Sequence, residues 1–237
     1  MKLAIMQPYF FPYLGYFALI KHSDNFIVFD GSQFIRHGWI ERNRIIRQQG
    51  GTQYIKVPLM NKSRSTLIKD VLINNNENWK EKIIAQLTIY KKIAPYYRET
   101  LELINHCFEN DFSKITYLNT FLLKEICEYL QISFHYTIFS EMNLELKPVA
   151  APDEWALNIS LALNADTYIN APGGKSFFNR EKYKHHNIDL KFLEINVRKY
   201  KQLNSESFEP NLSIVDVMMF KTPNEINDML NDINFSK

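Results

Sequence analysis

Between Asp30 and Arg44 the chain reads DGSQFIRHGWIERNR, a stretch dense in groups that can bind or move charge. Arg36, Arg42 and Arg44 offer planar, paired donors to a phosphate or carboxylate. Asp30 and His37 are of the types that accept a proton from an attacking amine or hydroxyl. Trp39 can stack on a sugar face or a base, and Gln33 and Asn43 add neutral hydrogen-bonding groups. Singly, each has a plain reading, with the arginines on a solvated face and Trp39 as a core anchor. Together, directly after one apolar strand, they favour the wall of a pocket. A second candidate is APGGKSFF (171–178), which also follows a strand. Gly173 and Gly174 could present successive backbone N–H groups with Lys175 beside them, a nest for a phosphate, carboxylate or oxyanion. Its spacing is not that of a Walker A loop, and alone it reads more often as a turn. His185-His186 has no third ligand at useful spacing, so no metal is expected. GxSxG and HExxH are absent.

These residues need a frame. LAIMQ (3–7), NFIVFD (25–30), YIKVPL (54–59), FHYTIFS (134–140), TYINA (167–171) and LKFLEI (190–195) read as strands, and TLIKDVLI (66–73) alternates like an edge strand. LGYFALIKHS (14–23) reads as a short helix. From Asn78 to Phe108 the period is helical with a break at Pro95, and Ser113 or Asp111 could cap the next helix. Residues 141–152 are the expected loop, Asp153 and Ser213 are expected helix caps, and Pro223 opens the last helix. Strands alternating with helices predict an α/β fold, a mainly parallel sheet covered on both faces, with residues 78–130 as a helical insertion or cap within one domain over 1–237. Ligands of such sheets bind beyond the strand carboxyl ends. That puts three loops on one rim: after Gln7 (with Tyr9 and Tyr13), after Asp30, and after Ala171.

The whole chain narrows the function classes. It has 237 residues, 46% of them hydrophobic and 23% charged, so a substantial core is expected. A net charge of +2 gives no support for a nucleic-acid binder. Cys107 and Cys127 fall in helical segments without a CxxC and read as free buried thiols. Pro8 and Pro12 interrupt the first apolar run, no cleavage site follows, and no run approaches the roughly 20 residues of a membrane span. A cytoplasmic protein is expected.

Four segments carry a resemblance. MQPYFFPYLGYFALI, D-x-x-Q-F-I-R-x-G-W-I-x-R-N-R-I, Y-I-N-A-P-G-G-K-S-F, and the late Y-K-Q…F-x-P-N-L-S-I-V-D resemble the WbqC-like family, from Met1 to about Met219. The opening motif is specific, whereas residues 151–166 depart from the family pattern. The resemblance implies a bacterial protein of O-antigen or other surface-polysaccharide (lipopolysaccharide) biosynthesis, with N-acyl or aminoacyl transfer to an amino sugar as the family-level expectation. The strand, turn and x-L-G-x opening is also similar to Rossmann-like nucleotidyltransferases. Tyr13-Leu14-Gly15-Tyr16 stands where their His-x-Gly-His lies, and tyrosine cannot supply the cation for nucleotidyl transfer.

On this expectation Arg42 and Arg44, or Lys175, hold the diphosphate of a nucleotide-linked amino sugar. Asp30 or His37 takes the amine proton, and Gly173 and Gly174 stabilise the oxyanion. No tightly bound cofactor is expected, and the donor is an acyl thioester on coenzyme A or an acyl carrier protein. A homodimer is left open. Two alternatives stand beside it: a nucleotidyl or glycosyl transferase on the same fold, or a non-catalytic module of a polysaccharide assembly complex. In the latter, Tyr9, Phe10, Phe11 and Tyr13 would form a partner patch rather than core.

Overall fold

The period of the opening strand sets the architecture. In LAI, Leu3 and Ile5 face one side of the sheet and Ala4 the other, and all three are buried. A strand apolar on both faces must be covered on both. The computed structural model describes residues 1–60, 63, 65–202 and 208–236. Along the chain come β1 (Lys2–Met6), α1 (Leu14–His22) and β2 (Asn25–Val28), then two small antiparallel pairs, β3 (Arg42–Ile46) with β4 (Thr52–Lys56) and β5 (Leu59–Met60) with β6 (Leu72–Ile73). Helices α2 (Trp79–Leu87), α3 (Tyr97–Phe108) and α4 (Ile115–Tyr129) follow. Then come β7 (Tyr136–Ile138), α5 (Asp153–Ala162), β8 (Thr167–Asn170), α6 (Arg180–His185) and β9 (Asp189–Ile195). The described chain closes with α7 (Ile214–Phe220), α8 (Pro223–Asn231) and β10 (Ile233–Ser236).

The central sheet has the order β10-β9-β8-β1-β2-β7, parallel except for β10 at one edge. From β1 the chain builds outward through β2 to β7, then returns to lay β8 on the other side of β1. The direction of winding therefore reverses between β1 and β8. Each strand divides its side chains between two cores. Ala4, Phe26, Val28, Ile169 and Leu193 join α1, α7, α8 and the block α2–α4. Leu3, Ile5, Ile27, Tyr168 and Phe192 meet α5 and α6 on the opposite face. Cys107 and Cys127 are free and buried, and burial pushes the Cys107 thiol up to about 12.

Several local expectations are corrected. TLIKDVLI is not one strand. Ile68 and Val71, three apart, are both fully buried, which a 3₁₀ turn over Ile68–Asp70 satisfies and an extended chain cannot. RNRII, read within a polar loop, is strand β3, with Asn43 and Ile45 inward and Arg42 and Arg44 on the other face. Neither Ser113 nor Asp111 caps α4: Lys114 holds that position, while Asp111 pairs with Lys80 and the Ser113 carbonyl accepts from the Ile73 amide. Asp153 is the first residue of α5, behind Pro152, rather than its cap. Ser213 does cap α7, and Pro223 opens α8 inside a Thr222–Glu225 capping box.

Candidate functional site

The turn after β1 is the first part of the site, and it is held in an unusual shape. Phe11 has φ of +40°, a conformation that bulky residues avoid. Its neighbours compensate. The Pro8 carbonyl accepts from Asn119 Nδ2 (2.8 Å), the Phe10 carbonyl from Asn43 Nδ2 (3.2 Å), and the Phe11 carbonyl from both Asn43 Nδ2 (2.8 Å) and Ser213 Oγ (2.8 Å). Phe10 and Phe11 thereby enter the core, while Tyr9 and Tyr13 face the cleft only half-buried. Gly15 completes the arrangement: a Cβ there would lie 2.4 Å from Tyr13 Cε2, so only glycine lets the tyrosine ring rest on the start of α1. Burial holds the Tyr13 hydroxyl up at about 12, with Tyr9 adding to the effect, and Tyr9 is raised by burial too. Both are neutral hydrogen-bonding groups at neutral pH.

Two chambers open beyond the carboxyl ends of β1, β2, β8 and β9, at the reversal of winding. The first, about 640 Å³, is walled by Phe29, Tyr168, Phe178 and Trp155, with Gln7, Ser32 and Gln33 along its polar edge. Among the described residues, no charged side chain lines it. The second, about 1020 Å³, takes Tyr13, Trp39 and Arg44 on one side, and Asp153, Glu194 and the 171–174 turn on another. Met6, Gln7, Tyr9, Pro152, Asn170 and Phe178 border both, so the chambers are parts of one cleft. The three rim loops meet there: Gln7 Nε2 donates to Ser32 Oγ (2.9 Å), and Gln7 and Asn170 lie on the shared border.

The polar groups of the cleft are uncommitted to different degrees. Asn170, at the end of β8, is 8% exposed, borders both chambers, and makes no side-chain hydrogen bond to another described residue. Arg44 forms no ion pair among the described residues. Its guanidinium lies 5.7 Å from the Trp39 ring centroid, and its Nε is buried without a partner. Glu194 Oε1 accepts from Ser236 Oγ (2.8 Å) and stands 3.6 Å from Lys175 Nζ. Asp153 is nearly buried and committed, accepting from the Asn179 amide (3.2 Å) and from Lys182 Nζ (3.4 Å). Among the described residues, no group of three or more His, Cys, Asp or Glu is placed to hold a metal ion.

Of the residues singled out by sequence, Gln7, Tyr9, Tyr13, Gln33, Trp39, Asn43, Arg44, Gly173 and Gly174 border the cleft. Asn43 also clamps the aromatic turn, its Oδ1 accepting from the Arg44 amide (2.8 Å). Four others stand elsewhere. Asp30 is buried and gives both oxygens to Ser140, accepting from its amide (3.0 Å) and hydroxyl (2.7 Å). Burial raises the Asp30 carboxyl, and the Ser140 bonds partly oppose that. His37, at φ +62°, has a largely exposed ring, and its amide donates to Glu41. Arg42 stacks on Tyr54 at 4.0 Å and donates to the His37 carbonyl (2.7 Å). Lys175 reaches the cleft only through Glu194. The glycine turn is 3₁₀ rather than a nest: the Gly174 and Lys175 amides donate to Ala171 and Pro172 carbonyls (3.1 Å each). Tyr16, of the Tyr13-Leu14-Gly15-Tyr16 segment, is buried and donates its hydroxyl to the Gln7 carbonyl (2.8 Å). None of the α2–α4 block borders either chamber; it packs on α7, β4 and the turn at Ile68–Asp70.

Asn170, Glu194 and Trp155 were missed as site residues. Asn170 and Glu194 end strands read correctly, so position at a strand's carboxyl end was the available signal. Trp155 carries none, because a tryptophan on a helix reads first as core. No described helix is long and apolar enough to cross a membrane.

Comparison with known proteins agrees with the motifs. An uncharacterized protein of Mycobacterium tuberculosis, Rv1507c, is 30% identical over 220 residues, covering 92% of each chain. No solved structure matches the chain significantly. The WbqC-like protein family matches residues 7–228, almost the whole length, and the chain belongs to that family.

Proposed function

We propose that this protein acts in surface-polysaccharide biosynthesis as a transferase that acylates or aminoacylates the amino group of a nucleotide-linked amino sugar. The family supports the general role, and the second chamber supports the narrower one. The observation that carries it is Arg44, which has no ion pair among the described residues and borders the same chamber as the Glu194 carboxylate. A ligand with both an anionic and an ammonium group answers both, and an amino sugar joined to a diphosphate is such a ligand. Trp39 and Tyr13 supply the ring faces and hydroxyl edges that a sugar uses.

In this reading Arg44 holds phosphate, in the role first given to Arg42 and Arg44 together. The proton acceptor is Glu194, because its side chain borders the second chamber whereas neither Asp30 nor His37 lines either chamber. The deprotonated amine attacks the carbonyl carbon of an acyl thioester. An N–C bond forms and the C–S bond breaks. The amine proton passes through Glu194 to the leaving thiolate.

The test is amide formation, followed by mass, from nucleotide-linked amino sugars with acyl and aminoacyl thioesters. Turnover that Glu194→Gln reduces by about 100-fold or more, with binding of the already acylated sugar retained, supports the assignment. Full turnover in Glu194→Gln removes Glu194, and no amide with any donor removes the transferase reading.

A further inference from the structure

The first chamber has a chemistry of its own, and it differs from the second in charge. Aromatic rings, Phe29, Trp155, Tyr168 and Phe178 among them, border it, yet among the described residues no Lys, Arg, His, Asp or Glu does. Its walls are preformed. The Phe29 and Trp155 rings lie 5.4 Å apart, and Tyr168 and Phe178 5.7 Å apart, each pair held by core packing. Its polar border consists of side-chain amides and a hydroxyl: Gln7, Gln33, Asn170 and Ser32. A carboxamide carries donors and an acceptor side by side, and Asn170, 8% exposed, makes no side-chain hydrogen bond to another described residue.

We infer that this chamber is the binding site of an uncharged heteroaromatic ring, the nucleobase of the nucleotide-linked substrate. The inference rests on the nucleotide-sugar reading of the neighbouring chamber and assigns the other half of the same ligand. A nucleobase has two flat faces for the rings and an edge of adjacent donors and acceptors for the amides. An acyl chain would fill the apolar volume but leave the nearly buried Asn170 amide without a partner in the chamber. A phosphate would find no cation among the described lining residues. The shared border at Gln7, Tyr9 and Asn170 then lies where base and sugar–phosphate portions join, with Arg44 on the phosphate side.

The test is calorimetric titration of the wild-type protein with uridine, thymidine, cytidine, adenosine and guanosine, beside glucosamine 1-phosphate and acetyl-pantetheine. Gln33→Ala, at an exposed position, keeps the fold; Trp155→Leu removes one ring and is checked by its melting curve. The expected result is that at least one nucleoside binds and that each substitution weakens it by about tenfold or more. Glucosamine 1-phosphate affinity stays within about twofold in both variants and is lost in Arg44→Ala. The inference is overturned if no nucleoside binds, if nucleoside affinity ignores both substitutions, or if acetyl-pantetheine is the ligand they remove. Nucleoside binding here without any acyl transfer would remove the transfer reading and leave this assignment standing.

Discussion

Gly173 and Gly174 are neighbours in one turn, and the structure predicts opposite outcomes for the same substitution at each. Neither has a positive φ, so alanine is tolerated by the backbone at both. At Gly173 a Cβ would meet nothing within 4 Å. Gly173→Ala then acts mainly by restricting the unfolded chain, a stabilisation of about 0.4–1 kcal/mol. At Gly174 a Cβ would lie 2.4 Å from Asn170 Nδ2 and 3.0 Å from Phe178 Cε2. Asn170 is short and nearly buried, so its amide cannot swing away freely. Overpacking of this kind costs about 1–3 kcal/mol. Set against the same unfolded-state gain, the net loss is about 1–2 kcal/mol. For a chain of this size the midpoint falls by about 2–8 °C in Gly174→Ala and rises by about 1–4 °C in Gly173→Ala. Thermal unfolding by circular dichroism reads both directly. Because Asn170 borders both chambers, Gly174→Ala should also weaken every ligand of the cleft. Equal shifts in the two variants, or a neutral Gly174→Ala with ligand affinity intact, would refute the placement of the Asn170 amide against the turn.

The remaining predictions concern the clamp on the aromatic turn, a buried tyrosine–aspartate pair and the cap of α8. Asn43→Ala strips donors from the Phe10 and Phe11 carbonyls and an acceptor from the Arg44 amide, so unfolding free energy should drop by about 2–4 kcal/mol in urea titration. Tyr90→Phe removes the hydroxyl that donates to the buried Asp216 carboxylate (2.5 Å) and accepts from the Ile46 amide (3.3 Å), for a loss of about 1–3 kcal/mol. Glu225, whose carboxyl is held down at about 2 by Lys221 and the Thr222 amide, favours the folded state above its unfolded pKa near 4.3. That contribution is lost as pH falls toward about 2, so amide protection at the start of α8 should fade across this window in wild type and be weak at all pH values in Glu225→Gln.

The parallel strands of the central sheet were legible because their period is strong, whereas the antiparallel edge strand β10 and the short helix α6 were not read. LAIMQ, NFIVFD, TYINA and LKFLEI announce themselves by buried β-branched and aromatic runs. The parallel order follows from the helices between them. Where the reading failed, a local pattern had two solutions and tertiary contacts chose. TLIKDVLI alternates like a strand over most of its length, but Ile68 and Val71 must both be buried, and the hydrogen bond from the Lys69 amide to the Asp30 carbonyl fixes the 3₁₀ turn that allows it. RNRII hid as a loop because a two-stranded hairpin leaves its arginine face in the open.

The site divides in the same way. The rim, and with it Gln7, Tyr9 and Arg44, followed from topology. Which of two arginines on one strand faces the cleft did not, because Arg42 and Arg44 share a face and differ only in their neighbours, Tyr54 and Trp39. Nor could residue type show that the Asp30 carboxylate is spent on Ser140, a partner more than a hundred residues away.

The central claim, that this cleft holds a nucleotide-linked amino sugar, is tested most directly by thermal shift of the wild type, Arg44→Ala and Glu194→Gln against a panel of such sugars. At about 100 times its dissociation constant a ligand adds roughly 2.7 kcal/mol, which raises the midpoint by about 5–10 °C in a chain of this length. The account predicts that shift in the wild type, its loss in Arg44→Ala, and its retention in Glu194→Gln with the matching sugar whose amine is already acylated. No shift with any nucleotide-linked amino sugar in well-folded protein, or one that survives Arg44→Ala undiminished, would contradict it.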